Sequence, residues 1–315
     1  MDTRIISEGP AVVSWNGQNY YTESTITLTP DFKLREKVSS YFGITDRRVT
    51  DKLFTLGFTP YGDMNNNLLK YIPFGAADLG KLVAPAEDVP LVIYAASGEK
   101  LSFPAGCISK CPQFLLGTDI GPMGDMAFAA MGDLSGVDAA ADTHYTIETA
   151  AIAAHTHDPD KAPTPAYKAT LGTGETAVEI DGDKGFTFDH GATLTPRAVN
   201  RYGTINFKVT AIAPSVSFIP SGLTIAQAMG YWNVQGAAAA KLGGSNKLGL
   251  PLVVGPANAG DKGITITFPD CLVQSGSMLF GKDDPRHGQY AFVPATKVVA
   301  GVPQALYSIA FPTWA

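Results

Sequence analysis

Apolar and polar residues alternate in short runs along this chain, and turn residues interrupt them. Ala11-Val12-Val13-Ser14-Trp15 and Gln18-Asn19-Tyr20-Tyr21-Thr22 flank Asn16-Gly17. Asn-Gly accepts positive φ at both central turn positions, so the pattern predicts a tight β-hairpin. Thr25 to Thr29 carries β-branched residues at period two and is expected to stop at Pro30. Asp31 to Thr50 holds Lys33, Arg35, Glu36, Lys37, Asp46, Arg47 and Arg48 and reads as a long polar loop. Leu53 to Thr59 is a strand closed by Pro60. Asn66 can cap a short helix over Asn67 to Ile72, ended by Pro73. Pro90 to Tyr94 and Leu101 to Phe103 flank Ser97-Gly98 and predict a second hairpin. Ala127 to Ala130 and Thr143 to Thr149 are weaker strand candidates. His155 to Pro165 has three prolines and no periodicity, and reads as a linker.

The second half echoes the first in order. Asn16-Gly17 is matched with Asp181-Gly182 at an offset of 165, and Thr27-Leu28-Thr29-Pro30 with Thr193-Leu194-Thr195-Pro196 at 166. The strand ending at Pro60 is matched with Asn206 to Pro214 at 154, and Pro90-Leu91-Val92 with Pro251-Leu252-Val253 at 161. Phe103-Pro104, followed by Cys107, is matched with Phe268-Pro269, followed by Cys271; the two cysteines, Leu116-Gly117 and Phe280-Gly281, and Ala127-Phe128 and Ala291-Phe292 all stand 164 apart. Tyr145-Thr146-Ile147 and Tyr307-Ser308-Ile309 stand 162 apart. The drop from 166 to 154 gives the first copy 12 extra residues, placed in Asp31 to Thr50. A helix is expected at Leu223 to Met229, after Ser221-Gly222. The expected organisation is a strand-rich domain over 1–158, a Pro-rich linker over 159–168 and a second domain over 169–315. Each domain is an all-β barrel or sandwich with one short helix. At 315 residues the chain is long enough for two domains of ~150 residues.

Composition narrows the function. Charged residues make up 17%, against about 25% in a typical globular protein, and the net charge is −6. That balance argues against a surface built to grip nucleic-acid phosphates. No apolar run approaches the ~20 residues of a membrane helix. Three cysteines are an odd number for a disulfide framework, and the N-terminus lacks a signal-peptide core. A chain made and kept in a cytoplasm, at least until assembly, is expected.

The chemical motifs are weak. Cys107 and Cys111 have C-x₃-C spacing but lack a second ligand pair, and Cys271 echoes Cys107, so buried apolar roles are expected. His155-Thr156-His157-Asp158 sits in the linker. Asp181 to Gly185 resembles the start of a calcium loop, but Ala192 stands where the bidentate Glu belongs. Gly255 to Lys262 fails as a phosphate loop because Asp261 precedes the Lys and no Ser or Thr follows it. No catalytic constellation is found, and no metal or cofactor is expected.

The opening strand, the Asn16-Gly17 turn, Tyr20-Tyr21, Ser24 to Pro30, the long polar loop and Lys52 to Pro60 resemble the major tail (tail tube) proteins of long-tailed bacteriophages. The resemblance implies a non-enzymatic structural subunit. Tube domains form six-domain rings whose strands join into one inner barrel, and the rings stack into a hollow conduit for DNA. Two domains per chain imply a trimeric ring with pseudo-sixfold symmetry. The implied partners are other copies of the chain, the distal-tail (initiator) and terminator proteins, and the tape measure protein and DNA in the lumen, without a membrane. The implied location is the virion tail, assembled in the host cytoplasm. The loop after the second strand becomes the inter-ring stacking element, with Phe32, Arg35, Tyr41, Phe42, Arg47 and Arg48 as anchors. The alternative is a two-domain β-sandwich that binds carbohydrate or a cell surface through Trp15, Trp232 and Trp314. A β-rich hydrolase comes third, because no nucleophile–base pair stands out.

Overall fold

The computed structural model describes residues 11–23, 25–61, 69–85, 89–117, 123–131, 145–150, 165–199, 203–231, 248–280, 287–296, 298–303 and 305–312. Within them the chain is all-β with short helices. The first half holds β1 (Val12–Trp15), β2 (Gln18–Tyr21), β3 (Thr27–Ser39), β4 (Gly43–Phe58), β5 (Leu91–Tyr94), β6 (Glu99–Phe103), β7 (Ala105–Lys110), β8 (Phe114–Leu116), β9 (Met126–Met131) and β10 (Thr146–Thr149). The second half continues with β11 (Tyr167–Leu171), β12 (Val178–Gly182), β13 (Phe186–Asp189), β14 (Ala192–Val199), β15 (Gly203–Ile212), β16 (Ser215–Phe218) and β17 (Pro220–Ser221). Then come helix α1 (Ile225–Tyr231), β18 (Leu252–Pro256), β19 (Thr265–Phe268), β20 (Cys271–Ser275), β21 (Tyr290–Pro294), β22 (Val298–Val299), β23 (Val302–Pro303) and β24 (Ser308–Ala310).

The hairpins follow their turn residues. Asn16 (φ 48°) and Gly17 (φ 71°) both take positive φ between β1 and β2, and Gly98 (φ 85°) turns β5 into β6. Helix α1 starts two residues later than expected because Thr224 caps it. Its Oγ1 accepts the Gln227 N–H at 3.2 Å, and the Gln227 side chain accepts the Thr224 N–H at 2.9 Å. The expected helix at Asn67 to Ile72 lies partly outside the described residues; Leu69 and Lys70 form one 3₁₀ turn.

Two expectations fail at the third strand. Pro30 does not end it: β3 runs on to Ser39, with Pro30 opposite Phe54. Strand β3 is an edge of the sheet β3-β4-β9-β7, where a missing N–H leaves no ladder bond unmade. Asp31 to Thr50 is therefore not a loop but the outer part of a long two-stranded arm.

The two halves repeat one strand plan. One sheet has the order β10-β6-β5-β1-β2, and another contains β24-β19-β18-β11-β12. Every neighbouring pair in both is antiparallel. From Gln18 to Pro60 the registers superpose on Val178 to Pro220 at a constant offset of 160. The bridge Thr22↔Pro60 matches Gly182↔Pro220, and Leu28↔Leu56 matches Phe188↔Val216. The arm Phe32↔Lys52 to Ser39↔Gly43 matches Ala192↔Ile212 to Val199↔Gly203, with both bulges at corresponding places. At one bulge the Thr50 hydroxyl donates to the Lys33 carbonyl at 3.1 Å, and Thr210 does the same to Thr193, also at 3.1 Å.

This register corrects three of the sequence matches and the length difference drawn from them. The counterpart of Asn16-Gly17 is the longer turn Gly172 to Ala177, because Trp15↔Gln18 corresponds to Leu171↔Val178. Thr27 corresponds to Thr187, and Pro60 to Pro220. The two arms are equally long, so the first has no 12-residue excess. The later matches at Leu91, Phe103, Phe128 and Ile147 agree with the ladders. Cys107 slips by one, since a shared bulge aligns Ile108 with Val273 and hence Gly106 with Cys271.

One hydrophobic core runs through both halves. Phe128 is surrounded by Trp15, Tyr20 and Phe58, at centroid distances of 5.8, 5.1 and 6.1 Å. Phe58 and Phe128 lie 6° from parallel; so do their counterparts Phe218 and Phe292, 5.5 Å apart. Of the Pro-rich segment, 159–164 lie outside the described residues, as does His155 to Asp158, and β11 already begins at Tyr167.

Candidate assembly surface

Among the described residues, β3 and β4 extend beyond the rest of their sheet as a two-stranded arm. Strand β4 pairs with β9 only over Phe54 to Phe58, so among the described residues Phe32 to Lys52 makes ladder bonds only within the arm. Period two sorts its side chains onto two faces. Phe32, Leu34, Glu36 and Val38 share one face with Val49, Arg47 and Ile44 opposite. Lys33, Arg35 and Lys37 share the other with Asp51, Arg48 and Asp46. The first face continues the core: Phe32 meets Phe54 edge-on at 5.6 Å, and Leu56 beyond it is fully buried.

Phe32, Leu34, Val38, Tyr41, Phe42, Ile44 and Val49 are all exposed. An exposed apolar stripe of this kind makes the arm a candidate interaction surface. At the tip, Tyr41 (86% exposed) and Phe42 (76%) stack edge-on at 4.8 Å. Ser39 Oγ accepts the Tyr41 and Phe42 amides at 3.2 and 3.4 Å and shapes the turn. Ion pairs join Arg47 to Glu36 at 2.8 Å and Arg48 to Asp46 at 3.0 Å; being exposed, they contribute little stability.

Of the six residues picked from sequence, all lie on this arm, but not on one face. Phe32 and Arg47 share the apolar face, Arg35 and Arg48 oppose each other on the basic face, and Tyr41 and Phe42 form the tip. Sequence reasoning missed Leu34, Val38, Ile44 and Val49. Their alternation with Lys33, Arg35 and Lys37 was the available signal.

The base of the arm is clasped by the other half. Asp51 is buried, and its Oδ1 and Oδ2 accept the Thr204 N–H at 2.9 Å and hydroxyl at 2.7 Å, with Lys33 Nζ at 3.5 Å. Burial pushes the Asp51 carboxyl up, but the Thr204 bonds and Lys33 outweigh it and hold the group below its ordinary value. The second-half arm, by contrast, lies across the first half. Val83 N–H donates to Phe207 O and Gly80 N–H to Val209 O, both at 2.8 Å. Asn206 Oδ1 accepts the buried Ala84 N–H at 3.2 Å.

The halves are also joined by a shared sheet. Strand β8 from the first half extends β20-β21-β16-β13, pairing Leu116↔Phe186 and Phe114↔Phe188. Gly185 (φ +74°) borders this seam, where an added Cβ would stand 2.4 Å from the Leu116 carbonyl.

Other chemistry is sparse. Burial pushes the Cys107, Cys111 and Cys271 thiols up to about 12, so they are poor thiolate ligands or nucleophiles. Among the described residues, no group of three or more His, Cys, Asp or Glu is placed to hold a metal ion. A groove of about 500 Å³ between Leu69 to Asp78 and Ala305 to Ile309 contains one carboxylate, Asp78, paired with Lys81 at 2.8 Å. Trp15 is buried and donates from Nε1 to Gly106 O at 2.6 Å, which removes it as a sugar-stacking platform; Trp232 and Trp314 lie outside the described residues. No described helix is long and apolar enough to cross a membrane.

His190 gives the molecule an acid-sensitive point. Its ring is fully buried between Phe74 and Tyr307, with no well-formed hydrogen bond to either nitrogen. Burial lowers its pKa from 6.5 to about 4, against partial opposition from the Asp189 charge and the Phe74 backbone. Between those values the unfolded chain takes up a proton that the native ring refuses. The His190 contribution to stability should therefore be intact above about pH 6.5 and should fall by about 3 kcal/mol as the pH drops toward 4. Denaturant titrations at pH 7.5 and 4.5 should show this loss in the wild type and its near-absence in His190→Phe.

The chain matches no protein-family model and no curated protein.

Proposed function

We propose that this chain is a structural subunit of a phage tail tube, its two halves being tandem copies of one tube domain. The observation that carries the reading is the docking of one half on the other, both built on one plan, while the first-half arm projects with an unburied apolar face. Two similar units joined head to tail use a heterologous contact, which closes into rings or propagates as a filament. Three chains would present six such units in a ring, and stacked rings would enclose the conduit for DNA. The distal-tail and terminator proteins would bound the tube, and the tape measure protein would occupy it before DNA does. The virion tail is its location, and its action is mechanical rather than catalytic.

The arm tip supplies the contact between rings. Tyr41 and Phe42 are large, rigid and exposed, as interface anchors are. Negative-stain electron microscopy with solution mass measurement tests the reading. Rings of three chains, stacked into hollow tubes, are the expected result; a compact monomer at every concentration, including with the tail initiator added, would overturn it. The double variant Tyr41→Ser/Phe42→Ser should keep its secondary structure and form rings that no longer stack.

A further inference from the structure

The seam inside the chain predicts the seam between chains. Its donor strand has a counterpart in the second half at an offset of 164. Phe114 bridges Met123, and Met278 bridges His287. Gly124 N–H donates to Gln113 O at 2.9 Å, and Gly288 N–H to Ser277 O at 3.0 Å. Met278 to Phe280 is thus the second-half equivalent of β8. The first is covered and the second is bare: Leu116 is 1% exposed and Phe280 84%.

The acceptor edge also recurs. Strand β13 receives β8 through Phe186, Thr187 and Phe188, whose counterparts are Ile26, Thr27 and Leu28. Among the described residues, Thr27 and Leu28 pair only with β4, so this edge is open. The same contrast holds for the arms. Val209 is fully buried against the first half, whereas its counterpart Val49 is 47% exposed.

We infer that Met278 to Phe280 of one copy adds as an antiparallel strand to Ile26 to Leu28 of a second copy. The pairs are Phe280↔Ile26, Leu279↔Thr27 and Met278↔Leu28. In the same contact, the body of the second copy's arm, short of its Tyr41–Phe42 tip, lies across the second half of the first, beside β20, as β14 and β15 lie beside β7 within one chain. Charge favours another copy as the occupant. Residues 31–52 hold six Lys and Arg against four Asp and Glu, whereas the whole chain holds 23 against 29. A basic arm leaving an acidic body is complementary to that body. The seam is not reproduced at its end, because Thr25 replaces Gly185, so the added ladder is confined to three residues.

This inference rests on the self-assembly reading and specifies its contact. Thr27→Cys and Leu279→Cys are prepared as separate full-length variants and mixed under mild oxidation. Both positions are exposed, whereas Cys107 and Cys271 are buried, Cys111 is half-buried, and all three thiols are held protonated by their surroundings. Directly opposite residues in an antiparallel pair lie within disulfide reach. A disulfide-linked dimer should form in the mixture and in neither variant alone. Absence of the dimer, or an equal yield from one variant alone, overturns the contact. In wild-type background, Phe280→Glu should shift the assembled mass to monomer while leaving the circular dichroism unchanged; assembly unaffected by this change also overturns it. Linked chains that never form hollow tubes would keep the contact and overturn the tube. Tubes from a mixture that yields no linked dimer would do the reverse.

Discussion

Phe128→Ala is expected to lower the unfolding free energy by about 3–5 kcal/mol, the cost of removing a buried aromatic ring from a core that cannot collapse into the gap. The side chain is fully buried, and Trp15, Tyr20 and Phe58 each lose a ring contact. Phe292→Ala, at the matching position, loses the stack with Phe218 and should cost a similar amount. Because one core joins the halves, both variants should unfold in a single transition moved to lower denaturant. Two separated transitions in either variant would show that the halves unfold independently.

Asp51→Ala is the second large effect expected, at about 2–4 kcal/mol. It removes an ionised acceptor of two Thr204 hydrogen bonds and leaves a buried N–H without its partner. Asp51→Asn keeps one acceptor oxygen and should recover about half of the loss. Hydrogen exchange at the Thr204 amide checks the location, since protection should fall there before it falls at Phe128. The wild-type contribution also has a pH signature. The folded carboxyl titrates below its ordinary 3.8, so its stabilisation is present above that pH and disappears as the pH falls further. Asp51→Ala should lack this component, and unchanged acid sensitivity would contradict the clasp.

Tight turns and period-two runs carried much of this fold in plain view. Asn16-Gly17 and Ser97-Gly98 marked two hairpins because their backbone demands are local. The repeat was readable where Pro-Leu-Val, Phe-Pro and Ala-Phe recur, since those residues keep the same neighbours in both halves. Near the front the letters mislead, because Thr-Leu-Thr-Pro occurs twice at non-equivalent places. The true counterpart of Thr27-Leu28-Thr29 is Thr187-Phe188-Asp189, in which the middle residue is again the more buried of the three, so the alternation is kept rather than the letters. Charge obscured the arm. Lys33, Arg35 and Lys37 suggested a solvated loop, although Phe32, Leu34 and Val38 between them gave a strand period. The clasp at Asp51 joins residues 153 positions apart, and no local pattern announces such a pair.

The β8–β13 seam has a kinetic consequence. Two surfaces tethered in one chain meet at an effective concentration fixed by the tether, independent of how many molecules are present. If each seam in a closed ring has the same design, every second one forms during folding and only the others depend on encounter. Dilution would then separate whole chains but never their halves, and the order of assembly would fall from six colliding bodies to three.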